Sequence, residues 1–87
     1  MNVEFAADTW DEYLWFQEYE PKLVKKLNHL IEECRRTPFE GTGKPEPLKY
    51  EFTGHWSRRI TDQHRLVYRV ENDELLMIVG CRFHYDQ

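Results

Sequence analysis

The run Arg65-Leu66-Val67-Tyr68-Arg69-Val70-Glu71-Asn72-Asp73-Glu74-Leu75-Leu76-Met77-Ile78-Val79-Gly80 decides the fold. Its first part alternates with period two, which marks a strand with one face on a core. Asn72-Asp73 is a turn signal, and from Leu75 to Gly80 the chain is apolar at every position but the last, as in a central strand covered on both sides. The pattern predicts neighbouring antiparallel strands over residues 65–70 and 75–85. Upstream, 56–60 reads as another strand. Leu48, Tyr50 and Phe52 alternate before the Thr53-Gly54 turn, which predicts a fourth over 48–52.

In the N-terminal half, residues 2–6 alternate weakly and predict a short strand. Thr9-Trp10-Asp11-Glu12 reads as a capping box opening a helix that ends near Tyr19, with Trp10, Tyr13 and Leu14 on its apolar face. Pro21 suits the first turn of a second helix. There Leu23, Val24, Leu27, Leu30, Ile31 and Cys34 recur at helical spacing until Thr37-Pro38 stops it. Residues 39–47 are rich in Gly and Pro and read as a loop. The expected fold class is α+β: β-α-α followed by a four-stranded antiparallel sheet, with the helices packed on one face. No repeat or linker divides residues 1–87, so one domain is expected.

A chain of 87 residues lies near the size at which folding buries only about 60% of the unfolded surface. An aromatic content of 15% compensates, since each ring buries a large apolar area. The two cysteines have no CxxC spacing and the four histidines match no zinc pattern. No secretory leader or membrane-length apolar run is evident, so a cytoplasmic, metal-free and cofactor-free protein is expected. The net charge of −4 argues at first against nucleic acid. Its distribution reverses that: residues 1–20 carry six acidic and no basic side chains, whereas 21–70 carry six acidic and eleven basic.

Strand parity assigns Leu48, Tyr50, Phe52, Trp56, Ile60, Leu66, Tyr68 and Val70 to the core, with the odd-numbered residues of the last strand through Cys81 and Phe83. The other face receives Lys49, Glu51, Ser57, Arg59, Arg65, Val67, Arg69, Arg82 and His84. Five cations among these, against one carboxylate, suit a polyanion. Arg58 falls on the core parity, which predicts a bulge or an edge position there. Glu46, held between Pro45 and Pro47, reads either as a solvated loop glutamate or as a carboxylate fixed at the rim of this face, and spacing leaves both open. Glutamate, arginine and histidine together suggest metal-free RNA cleavage: a base for the ribose 2′-hydroxyl proton, a cation for charge on the phosphate, an acid for the leaving 5′-oxygen.

Several stretches together resemble the YoeB/Txe family of bacterial toxins in the RelE-like superfamily. They are Thr9-Trp10-Asp11-Glu12-Tyr13, Arg35-Arg36-Thr37-Pro38-Phe39-Glu40-Gly41, Gly43-Lys44-Pro45-Glu46-Pro47-Leu48-Lys49, Trp56-Ser57-Arg58-Arg59-Ile60, His64-Arg65-Leu66-Val67-Tyr68 and Cys81-Arg82-Phe83-His84-Tyr85. The resemblance implies a ribosome-dependent endoribonuclease that cuts mRNA in the ribosomal A site, a YefM/Phd-like antitoxin partner, and a homodimer. Carried over by position, it makes Glu46 the general base, Arg65 the arginine that stabilises the transition state, and His84 the general acid. Lys49, Arg59 and Tyr85 then support the site, and Arg82 adds a cation for RNA. An unperturbed imidazole is only roughly a quarter protonated at pH 7, so His84 gains as an acid from a nearby anion. Two other functions stand beside this one: a ribosome-binding inhibitor acting by occupancy alone, and a gyrase inhibitor of the ParE type, against which the glutamate, arginine and histidine in register argue.

Overall fold

The computed structural model describes residues 1–82. The expected hairpin is present as β4 (Arg65–Glu71) and β5 (Leu75–Gly80). Asn72 and Asp73 both adopt positive φ, 53° and 58°, and the Glu74 N–H donates to the Glu71 carbonyl at 3.0 Å. This is a type I′ turn, whose twist matches that of paired strands and which Asn and Asp tolerate. Around the hairpin the sheet is completed by β1 (Asn2–Phe5), β2 (Glu46–Pro47) and β3 (Trp56–Arg59), in the order β1-β5-β4-β3-β2.

The sheet therefore has five strands and is mixed, because β1 pairs with β5 in parallel. Helices α1 (Ala7–Tyr19) and α2 (Pro21–Arg36) fill the connection after β1 and cover one face. Phe16 of α1 and Leu27, Leu30 and Cys34 of α2 are fully buried against Leu66, Tyr68 and Ile78. A buried side chain of this size contributes about 1.5–3 kcal/mol by leaving water. Pro21 opens α2 as expected.

Several expectations are corrected. The alternation at 48–52 does not make a strand. Only Glu46–Pro47 pairs with β3, and Tyr50–Phe52 forms a 3₁₀ turn that leaves Tyr50 exposed rather than in the core. Thr9 does not cap α1: the helix begins at Ala7 after Ala6, and Thr9 is buried in its first turn. In β5 the core parity is the even one, with Leu76 and Ile78 fully buried. Val67 opposes Gly80 whereas Tyr68 opposes Ile78, so Val79 is an extra residue on β5. That bulge inverts the alternation, which is why Cys81 is buried in the core as expected although Met77 is not. β5 ends at Gly80 and does not run on through Cys81 and Arg82 as expected; Phe83, His84 and Tyr85, the rest of the expected strand, lie outside the described residues.

Candidate active site

Cross-strand register assembles the site. Glu46 of β2 opposes Ser57 of β3, and Arg59 of β3 opposes Arg65 of β4. Opposed residues share a face and alternate residues recur about 6.8 Å apart along a strand, so Glu46, Ser57, Arg59 and Arg65 all face away from the helices. Together with Gly43 and Lys44, these four residues line one shallow pocket. A carboxylate and two guanidinium groups thus meet around a concavity open to solvent.

Arg65 is held in place before any ligand arrives. Its Nη1 donates to the carbonyls of Thr61, at 2.5 Å, and His64, at 3.1 Å. The turn that supplies them is fixed by Thr61 Oγ1, which accepts from the N–H groups of Gln63 and His64. Arg59 is looser: it is half-exposed and its Nη1 lies 3.7 Å from Asp62 Oδ1. Of the other cations assigned to this face, Arg69 is paired with Glu71 at 2.8 Å. The Arg82 guanidinium lies over the Trp15 ring of α1, 3.8 Å from its centroid. Lys49 lines an adjoining groove with Glu46, Pro47, Leu48 and Tyr50. Glu46 is therefore common to both concavities. His84 and Tyr85 lie outside the described residues.

The residue that organises the approach to Glu46 is Arg58, whose place on the core parity reflects neither a bulge nor an edge. Its pairing with Leu66 is regular and its side chain is fully buried. All five N–H donors of its guanidinium are used. Nε donates to the Tyr68 hydroxyl; Nη1 donates to Glu33 Oε1 and the Thr42 carbonyl; Nη2 donates to the carbonyls of Thr37 and Glu40. The loop before Lys44 is wrapped around one cation, and the Arg59 N–H closes it onto the Gly43 carbonyl at 2.6 Å. Burial opposes the charged form of Arg58, but the Tyr68 hydroxyl and Glu33 outweigh it and raise its pKa above the ordinary guanidinium value. Glu33 is lowered, first by the Thr42 N–H, then by the Thr42 hydroxyl and Arg58. The sequence carried little signal for this, because helical spacing puts Glu33 beside the apolar stripe of α2 and not on it, among residues that read as a solvated face.

Among the described residues no three His, Cys, Asp or Glu side chains come together as a metal ion would need. No helix there is long and apolar enough to cross a membrane.

A two-helix layer on a five-stranded mixed sheet, with a carboxylate and two arginines at one end of its far face, defines the class of protein. The family model for the YoeB-like toxin of bacterial type II toxin-antitoxin systems matches residues 5–85. The chain is 56% identical over 85 residues to Toxin YoeB of Escherichia coli (strain K12), covering 98% of this chain and 100% of that one. It superposes on the YoeB/ParE toxin from Agrobacterium tumefaciens with a TM-score of 0.92 at 46% identity, over 98% of this chain and 100% of that. Staphylococcus aureus YoeB, solved as a dimer and in a YoeB-YefM complex, superposes with TM-scores of 0.88 and 0.86 at 43% and 42% identity, over 98% of each chain. This chain belongs to the YoeB-like toxin family.

Proposed function

We propose that the protein is a ribosome-dependent endoribonuclease that cleaves mRNA in the ribosomal A site and so stops translation. What carries the reading is that Glu46, Arg59 and Arg65 line the same pocket in a chain of this family. Glu46 takes the proton of the ribose 2′-hydroxyl as the 2′-oxygen attacks the phosphorus. Arg65 stabilises charge on the pentacoordinate phosphorane, supported by Arg59, Lys49 and Tyr85, with Arg82 as a further cation. His84 gives a proton to the 5′-oxygen as the P–O5′ bond breaks. The products are a 2′,3′-cyclic phosphate and a 5′-hydroxyl end, with no metal or cofactor taking part. General acid and base each contribute typically about 10²–10⁴-fold. The remainder falls to alignment and fixed charge, and ribosome dependence follows because a shallow open site does not hold an RNA backbone in line by itself.

A YefM-like antitoxin neutralises the protein, and a homodimer is its active assembly. These partners rest on the S. aureus relatives, which are described as a YoeB dimer and a YoeB-YefM complex. Translating ribosomes make the cytoplasm its place of action. The test is to add the protein to programmed ribosomes and map the mRNA ends, with Glu46→Ala and His84→Gln as comparisons. New 5′-hydroxyl ends in the A-site codon, lost in both variants, are expected. Stalled translation without new ends would replace the enzyme with an inhibitor that acts by occupancy.

A further inference from the structure

Tyr50 combines two features that rarely coincide. At 73% exposure it is the most exposed large apolar side chain among the described residues, and its backbone adopts φ of +56°. A left-handed conformation is unfavourable for a bulky residue and persists only where surrounding structure enforces it, most often at functional sites. Here the enforcement is visible. Thr53 donates to the Tyr50 carbonyl twice, from Oγ1 at 2.7 Å and from its N–H at 3.0 Å. The Phe52 N–H donates to the Lys49 carbonyl at 3.0 Å, and the Leu48 N–H to the His55 carbonyl at 2.9 Å. Among the described residues, the other non-glycine residues with positive φ are Asn72 and Asp73, which suit their hairpin turn, and Lys44. Lys44 and Tyr50 thus bracket Glu46.

The neighbours of Tyr50 indicate what the ring is for. It lines one groove with Glu46 and Lys49, and Glu46 also lines the pocket of Arg59 and Arg65. An exposed aromatic face, a lysine, a carboxylate and two arginines therefore form one continuous band. Single-stranded nucleic acid is held by this alternation, cations taking phosphates and aromatic rings taking base faces.

We infer that Tyr50 is a stacking platform for one nucleobase flanking the cleaved bond, with Lys49 on an adjacent phosphate. The inference rests on the ribonuclease reading. It adds a binding residue outside the set that resemblance supplied.

The experiment is steady-state cleavage of an mRNA on programmed ribosomes by the full chain and by Tyr50→Ala, Tyr50→Phe and Tyr50→Trp. Losing one stacked base raises KM about 5- to 150-fold. Tyr50→Ala should show that rise with kcat within about twofold and an unchanged melting temperature, since the side chain is exposed, and the aromatic variants should restore KM. The same mRNA with an abasic nucleotide on either side of the cleaved bond supplies the second arm. At one of those positions the unaltered protein should lose as much as Tyr50→Ala, and the variant should lose nothing more. An unchanged KM in Tyr50→Ala, or abasic and alanine effects that add, would overturn the assignment. Glu46→Ala separates the two failures. If it is inactive while Tyr50→Ala is unaffected, only the platform is wrong; if it is fully active, the ribonuclease roles fall with it.

Discussion

The guanidinium of Arg58 lies 2.8 Å from the carboxylate of Glu33, a bond that ties β3 to the last turns of α2 and encloses the loop leading to Glu46. Glu33 is partly exposed, so removing the buried Arg58 acts chiefly by stranding the oxygen acceptors around it and emptying its site. Arg58→Ala should therefore destabilise the protein by about 1–3 kcal/mol or more. Arg58→Lys should fall between it and the native chain, because a lysine brings three donors to a site that uses five. Urea unfolding midpoints check this order. Equal midpoints for the native chain and Arg58→Ala would mean that the loop is held by something else.

Gly41 offers a probe of the same loop that leaves both charged partners in place. Its φ of +123° is disfavoured for any residue with a Cβ, and a Cβ built there collides with Glu33 Oε1 and approaches Arg58 Nη1. Gly41→Ala should cost on the order of 1–3 kcal/mol and should lower cleavage in parallel with Arg58→Lys, since both disturb the approach to Glu46. Gly54 also has positive φ, but a Cβ there meets nothing, so Gly54→Ala should be the milder change. Melting temperatures of the two alanine variants make the comparison.

The loop should also be acid-sensitive in a defined direction. The Thr42 N–H, the Thr42 hydroxyl and Arg58 hold the Glu33 carboxyl below its ordinary pKa. A group depressed in the folded state contributes stability that is present above its unfolded value, about 4.3, and is lost as pH falls through the folded value. Glu33→Gln keeps an acceptor but not the charge. The difference in melting temperature between the native chain and this variant should therefore be full at pH 7 and shrink below about pH 4. A constant difference across that range would show that charge contributes nothing here.

Much of this arrangement was legible in the residues. The hairpin, the second helix and the buried positions Leu66 and Tyr68 followed from periodicity, because each has one wet and one dry face over several residues; the first helix was placed but wrongly oriented, since Trp10 and Leu14, read as its apolar face, are exposed while Thr9 and Phe16 are buried. The cationic face was legible only in part. Parity assigned Arg59 and Arg65 correctly, but Arg69 is paired with Glu71 in its own strand and Arg82 lies over Trp15. Neither contact leaves a periodic trace. The parity error in β5 arose because Leu75 to Val79 are all apolar, so one extra residue at a bulge shifts the register unseen. The alternation of Leu48, Tyr50 and Phe52 misled for a different reason. Three residues are too few to distinguish a strand from a 3₁₀ turn, and the positive φ of Tyr50 follows from the bonds made by Thr53, not from tyrosine itself.

The same limit explains Glu12, which the capping-box pattern assigned to the start of its own helix. Its Oε1 instead accepts from the N–H of Cys81 at 2.8 Å, a bond spanning most of the chain that fixes the end of the sheet to α1. Cys81 is fully buried, so without an acceptor its N–H would be stranded. Glu12→Leu should therefore cost about 1–3 kcal/mol, whereas Glu12→Gln, which keeps an oxygen there, should cost much less. The cysteines provide a local readout. Burial pushes the Cys81 thiol up to about 12 and the Cys34 thiol to about 11, so at pH 8 both are almost wholly protonated and slow to alkylate. Glu12→Leu should speed alkylation of Cys81, followed by peptide mass, and leave Cys34 slow. Equal acceleration at both sites would indicate global unfolding and dismiss the anchor.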